Sequence, residues 1–252
     1  MDRLRVLGFS VFEPTVNMAL DEAIAEAVGS AKSPPTLRFY GWSPSAVSIG
    51  YFQEIHEEVD LEFCHSNGIE VVRRITGGGA VIHTKGELTY SFTVCDKDPA
   101  VPQDIQGSYM RICAPIVSAL RGLGADAVFA PINDIEVGGK KISGNAQTRR
   151  FGAVLQHGTI LIDLERGMLR ALKVKREKLQ DRGADSVGNR LITLKEILGR
   201  DLRPGELSSA IVKEFRKHFK CKVEYGKASP IELCRVPAIA ERHKSIDWLF
   251  RR

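Results

Sequence analysis

Three consecutive glycines, Gly77-Gly78-Gly79, stand between two apolar segments, Ile69 to Arg74 and Ala80 to His83. Glycines in a row cost conformational entropy and give a core no side chain, so packing does not account for them. Close approach of a ligand to the backbone does. Such a turn exposes N–H groups to an anion, and Arg73, Arg74 and Thr76 add charge and a hydroxyl just before it. The alternative is a flexible hairpin tip. No Gly-Lys-Ser/Thr follows, so this is not a nucleoside-triphosphatase phosphate loop.

The segments around the glycines read as strands. From Glu87 to Val94, the residues Leu88, Tyr90, Phe92 and Val94 alternate with Glu87, Thr89, Ser91 and Thr93, which predicts a half-buried strand. Further strands are expected over 37–40, 46–49, 69–74, 80–83, 127–130, 132–137, 140–146 and 153–163. Helices are expected from Asn17, as cap, to Gly29, over 60–67 and over 106–123. Beyond Asp163 the pattern turns mostly helical, with a capping box at Thr193-Leu194-Lys195-Glu196, helices over 205–219 and 230–243, and a short strand over 221–225. Because successive strands are joined by short turns rather than helical crossovers, the expected fold is α+β, with a largely antiparallel or mixed sheet flanked by helices.

The chain's 252 residues suit one large domain or two modest ones. No run of 18 apolar residues exists and the N-terminus lacks a signal peptide's apolar core, so a cytoplasmic protein without a membrane partner is expected. Five scattered cysteines without a C-x-x-C pair suggest neither a zinc cage nor a disulfide framework. A net charge of +5 would suit nucleic acid, but the positive residues are spread along the chain, with a denser region from Lys173 to Arg190, and an acidic protein partner fits equally well.

Two further constellations carry chemistry. In Asn133 to Gly144, a turn at Gly138-Gly139 pairs Val137 with Lys140, Glu136 with Lys141, Ile135 with Ile142 and Asp134 with Ser143. Ile135, Val137 and Ile142 then share an apolar face, and Asp134, Glu136, Lys141 and Ser143 a polar one. That polar face is either a cross-strand ion pair or a phosphate site in which Lys141 meets phosphate and carboxylate oxygens while Asp134 helps hold Mg²⁺. In the segment Gln147 to Leu161, the step His157-Gly158-Thr159 interrupts an apolar strand with polar groups and a missing side chain. A ligand wall explains it, a hydrogen-bonded structural histidine being the alternative.

Together these segments resemble the lipoate-protein ligase A family, within the wider group of biotin-protein ligases and octanoyltransferases. Asn17 to Glu22 is similar to its opening helix, Leu37 to Trp42 with Gly50 to Gln53 to its first hairpin, and Arg73 to His83 to its glycine motif. Asn133-Asp134, Gly139 to Gly144 and His157-Gly158-Thr159 follow in the family's order. The resemblance implies a single catalytic domain over 1–252, sheet-rich over 1–163 and mostly helical over 164–252. It also implies a lipoate (or octanoate)-protein ligase that forms an acyl adenylate from Mg-ATP and passes the acyl group to a lysine of lipoyl domains or the glycine-cleavage H protein. Lys141 is then the catalytic lysine. Arg73, Thr76, Gly77, Gly78, Gly79, His83, Ser143, Gly144, His157, Gly158 and Thr159 bind the acyl adenylate, and Asp134 the Mg²⁺. Burying roughly seven carbon groups of an eight-carbon chain at ~0.8 kcal/mol each is worth about 5 to 6 kcal/mol before ordering costs, enough to select chain length.

The alternative within the group is an octanoyl-[acyl-carrier-protein]:protein N-octanoyltransferase working through a cysteine thioester. Ala130-Pro131-Ile132, where the most similar cysteine-type transferase carries that residue in a longer loop, has no cysteine, and none follows Asp163 before Cys221. Complete single-chain ligases carry a further C-terminal domain, and the large domain's pattern ends here near Asp247 to Phe250, which leaves room for a separate accessory ligase subunit. A binding protein without catalysis, or a nucleic-acid binder using the basic region, is the reading from outside the enzyme classes.

Overall fold

The structure, a computed structural model, describes residues 1–173 and 186–251. Much of the basic stretch from Lys173 to Arg190 lies outside the described residues. In chain order the first part comprises β1 (Arg3–Phe12), α1 (Pro14–Gly29), β2 (Thr36–Trp42), β3 (Ala46–Ile49), α2 (Ile55–Glu58), α3 (Leu61–Ser66), β4 (Glu70–Arg73), β5 (Val81–His83) and β6 (Glu87–Cys95). Next come α4 (Ile105–Gly122), β7 (Ala127–Ala130), β8 (Asp134–Val137), β9 (Lys140–Arg150), β10 (Ala153–Leu161) and a 3-10 turn (Arg166–Ala171). Then follow α5 (Ser186–Asn189), α6 (Leu194–Leu198), α7 (Pro204–Phe219), β11 (Lys222–Gly226), α8 (Pro230–Lys244) and α9 (Ile246–Leu249).

An eight-stranded sheet has the order β11-β1-β2-β6-β10-β9-β8-β7. β1 is parallel to both of its neighbours, and the pairs from β2 to β7 are antiparallel. A smaller sheet has β3 at its centre, parallel to β4 and antiparallel to β5. This is the α+β fold with a mixed sheet that the short connections predict.

Period-two alternation sorts the large sheet's faces. Leu37 and Phe39 of β2, with Leu88, Tyr90, Phe92 and Val94 of β6, pack against Ile112, Ile116 and Leu120 of α4 and Leu207, Ile211 and Phe215 of α7. The intervening residues face α1 and the small sheet: Arg38 and Ser91 both reach Asp21 on α1, and the Trp42 ring stacks on His83 of β5. Here the structure corrects the sequence. β6 is buried on both faces, because Glu87, Thr89, Ser91 and Thr93 are each at most 3% exposed. Its polar side is an internal wall.

Three local departures have clear causes. The helix expected from Asn17 begins at Pro14, whose fixed φ suits the first helical position. Asn17 is therefore within the first turn, fully buried, donating to the carbonyls of Phe12 and Gly41 and accepting from Arg38. The opening residues 3–12 form a strand that carries no clean alternation, since Arg5 is buried in it, paired with Glu232 of α8. In the β8–β9 hairpin, Gly138 and Gly139 have φ of +57° and +74°, and Val137–Lys140 and Glu136–Lys141 pair as expected. A bulge between Ile135 and Glu136 then shifts the register by one residue, so Asp134 faces Gly144 and Ile135 faces Ser143. Thr193 and Glu196 form the expected capping box, which starts α6.

Candidate active site

The internal wall and the small sheet enclose a pocket lined by residues from six strands, α1 and the glycine turn. Its empty space, open mouth included, is about 580 Å³, within the range of small-molecule sites. Exposure gives it a direction. Lys141 and Asp134 side chains are 39% and 30% exposed, whereas Ser48, Trp42, His83 and Arg74 are at most 4% exposed. The first two mark the mouth and the last four the floor.

At the mouth, Lys141 Nζ lies 2.8 Å from Asp134 Oδ1. The bulge makes this pair by setting Asp134 opposite Gly144, whose missing side chain leaves room for the lysine to lie across it. A Cβ at Gly144 would stand 2.6 Å from Lys141 Cε and Nζ. We expect Gly144→Ala to displace the lysine tip rather than the backbone, lowering turnover about tenfold to a hundredfold while thermal unfolding changes little. An unchanged rate would show that Lys141 does not need this course. Asp134 was expected to help hold Mg²⁺. The carboxylate oxygen instead faces an ammonium, and no group of three His, Cys, Asp or Glu side chains converges on one point among the described residues. This donor set does not fit a resident divalent cation.

Two hydrogen-bonded relays joined by Arg74 build the floor and the wall beside it. Its Nε donates to Thr76 Oγ1, which lies 2.7 Å from His157 Nε2, and His157 Nδ1 lies 3.3 Å from Asp21 Oδ2. Burial pushes the His157 pKa down, against the pull of Asp21. Neutral His157 thus accepts from the threonine hydroxyl and donates to the aspartate. Asp21 also accepts from Arg38, Tyr40 and Ser91. Burial raises its carboxyl, but Arg38, His157 and Ser91 outweigh that and hold it at about 2. In the second relay, Arg74 Nη1 donates to Ser48 Oγ, which lies 2.7 Å from His83 Nε2, and His83 Nδ1 lies 2.6 Å from Glu87 Oε1. Arg74 remains a cation although burial lowers its pKa to about 10.

Arg74 also sets the glycine turn, Nη2 donating to the carbonyls of Gly77 and Gly79. Within the turn, Gly78 has φ +88°, and its carbonyl would be 2.1 Å from a Cβ on Gly50. The turn is seated on Gly50 by backbone contact, a packing role that the sequence reading, which attributed the glycines to ligand approach, did not foresee.

Of the residues singled out from sequence, Gly78, Gly79, His83, Lys141, Gly144, His157, Gly158 and Thr159 come together in the lining. Thr76 and Asp134 stand one hydrogen bond behind it, and Gly77 lies at the turn's entry. Arg73 and Ser143 lie elsewhere. Arg73 is fully buried on the far side of the turn, donating to the carbonyls of Gly50, Tyr51, Gln53, Trp248 and Leu249. Ser143 is carried by the bulge to the face of Ile135, where its hydroxyl is buried without a hydrogen-bond partner among the described residues. The lining also includes Met18, Tyr40, Trp42, Ser48, Thr89 and Asn145, which sequence reading did not assign to it. Only the polar half of β6 held a signal: four polar residues on a strand between apolar neighbours mark a second buried face.

The family model described as lipoyl protein ligase A/B catalytic domain matches residues 13–216. The chain is 36% identical to octanoyltransferase LipM of Anoxybacillus flavithermus, over 95% of each chain. It is 37% identical to octanoyltransferase LipM of Geobacillus kaustophilus, again over 95% of each. Among solved structures, the bipartite lipoate protein ligase of Thermoplasma acidophilum, described with its E2 lipoyl domain, aligns with TM-score 0.86 and 30% identity over 99% of this chain and 96% of that one. Lipoate-protein ligase A bound with ATP aligns with TM-score 0.84 and 29% identity over 99% of both chains. These findings correct the reading of the chain as an ATP-dependent ligase. Eight curated relatives that match it over nearly their whole length, at 32 to 37% identity, are octanoyltransferases. Among the described residues no helix is long and apolar enough to cross a membrane.

Proposed function

The chain belongs to the lipoyl protein ligase A/B catalytic-domain family, and from that membership we propose that it transfers an octanoyl group from an acyl-carrier-protein thioester to the lysine of a lipoyl domain. The observation that carries this reading is the similarity, over 95% of both chains, to an octanoyltransferase. The Thermoplasma neighbour, described together with its E2 lipoyl domain, supports a lipoyl domain as acceptor, and the glycine-cleavage H protein is the second acceptor of the same kind. ATP, Mg²⁺ and an accessory ligase subunit take no part in this reaction.

The pocket suits the task. The alkyl tail enters past Gly78 and Gly79 toward the Trp42–His83 stack, and the carbonyl stays at the mouth beside Lys141. There the ammonium stabilises negative charge developing on the carbonyl oxygen, in a site where the filled pocket keeps water out. The test is incubation with octanoyl-carrier protein and a lipoyl domain, without ATP. One lysine of the domain should gain an octanoyl mass, at a rate ATP does not raise. A domain that stays unmodified under these conditions would refute the proposal.

A further inference from the structure

We infer that helix α9 positions the acyl pocket from outside it: Trp248 and Leu249, acting through Arg73, fix the backbone on which the glycine turn rests. This inference rests on the reading above that the acyl tail passes Gly78 and Gly79. The four residues of α9 are too few to hold a helix alone, and none of them is buried. Trp248 and Leu249 pack only partly against apolar neighbours. What ties the helix down is one side chain.

Arg73 Nε donates to the Trp248 carbonyl at 3.0 Å and Nη2 to the Leu249 carbonyl at 2.7 Å. From the other arm of the fork, Nη1 donates to the carbonyls of Gly50, Tyr51 and Gln53 at 3.1, 3.2 and 2.7 Å. The Trp248 indole N–H returns to the Arg73 carbonyl at 3.0 Å. One planar, wholly buried guanidinium therefore joins two backbone segments that are far apart in sequence. A lysine has no such fork and cannot span both.

The joined segment is the seat of the turn. Gly50 to Gln53 closes on itself, Gly50 N donating to Gln53 Oε1 and Gln53 N to the Gly50 carbonyl. Toward the pocket, Gly50 meets the Gly78 carbonyl in backbone contact, and Tyr51 N donates to the Thr76 carbonyl at 2.8 Å. Away from it, the Arg251 guanidinium lies 4.2 Å from the Tyr51 ring centroid and the Trp248 ring 5.8 Å. Contact is thus continuous from α9 through Arg73 and Gly50 to Gly78, which lines the pocket. Gly78 and Gly79 are exposed and carry no side chains, so the turn is held by Arg74 and by what its backbone rests on. Loosening α9 frees that seat and weakens the grip on the acyl tail. Lys141, on β9 at the mouth, keeps its place. The signature of such a role is a rise in KM with kcat retained.

Trp248→Ala removes the ring and its N–H but leaves the backbone carbonyl for Arg73. It should raise KM for octanoyl-carrier about tenfold with kcat within about twofold, and narrow the preference for octanoyl over decanoyl-carrier. Trp248→Phe, which loses only the N–H, should recover most of the KM. Arg73→Lys should raise KM by a similar factor, and the Arg73→Lys, Trp248→Ala double variant should be no worse than the worse single, because the two residues act as one unit. The unsubstituted protein gives a second readout. With fluorotryptophan at its two tryptophans, Trp42 in the pocket and Trp248 behind the turn, octanoate should shift both fluorine resonances. A shift of Trp42 alone, or an unchanged KM in folded Trp248→Ala, would overturn the inference. Wild type that transfers no octanoyl while both resonances move sinks the transferase reading and leaves the positioning role standing. Two unmoved resonances mean that the tail does not enter the pocket, and the inference falls.

Discussion

Lys141→Ala is expected to lower octanoyl transfer about a hundredfold to a thousandfold, the loss found when one donor to a developing oxyanion is removed. The fold should tolerate the change, because the side chain is 39% exposed and its ion pair with Asp134 is at the pocket mouth. Arginine should not restore the rate. A guanidinium keeps the charge but replaces a compact ammonium by a larger planar fork, which does not fit the course over Gly144. The measurement is the single-turnover rate of lipoyl-domain labelling, with circular dichroism to confirm folding. A well-folded Lys141→Ala enzyme within threefold of wild type, roughly 0.7 kcal/mol of barrier, would remove this lysine from the chemistry.

The second large effect is on stability. Asp21 and Arg38 form an ion pair at 2.7 Å with both side chains 2% exposed, so Asp21→Asn leaves a buried guanidinium uncompensated. The expected loss is about 3 to 5 kcal/mol in denaturant unfolding, and pairing it with Arg38→Met should recover part of it. The wild-type pair should also weaken in acid. The folded carboxyl is held at about 2 against an ordinary 3.8, so its contribution is complete above the ordinary value and is lost as pH falls through about 2. That contribution is about 2 kcal/mol. It should appear as a steeper acid loss of stability in wild type than in Asp21→Asn. Equal acid profiles for the two would mean that Asp21 ionises alike in the folded and unfolded chains.

Periodicity carried the sequence reading as far as local rules reach. The β8–β9 hairpin was legible from its Gly138-Gly139 turn as far as Lys141, and then a one-residue bulge moved Ser143 to the core face and brought Asp134 over Gly144. No propensity marks a bulge. Adjacent arginines posed the same problem of phase: Arg74 braces the turn from the pocket side and Arg73 from behind, and their identity alone does not say which is which. Met18, Tyr40 and Trp42 reach the pocket because α1 and β2 cross beneath the small sheet, a consequence of topology. The ligase reading failed for a different reason. It took Lys141 with Asp134, and the lack of a cysteine near the tunnel, as signs of adenylation, whereas a lysine that steadies an oxyanion serves other acyl transfers equally.

The Arg73 clamp bears on how the molecule comes into being. Two of the carbonyls it holds belong to Trp248 and Leu249, 175 and 176 residues further along, and the Trp248 indole donates back to the Arg73 carbonyl. On the ribosome, the strand leading into the glycine turn emerges long before the residues that secure it from behind. A nascent or prematurely terminated chain would present the turn unbraced, with a buried-type arginine still seeking acceptors. Bracing of the glycine turn from behind is thus deferred until Trp248 and Leu249 have been made, and a fragment that stops short of them lacks it.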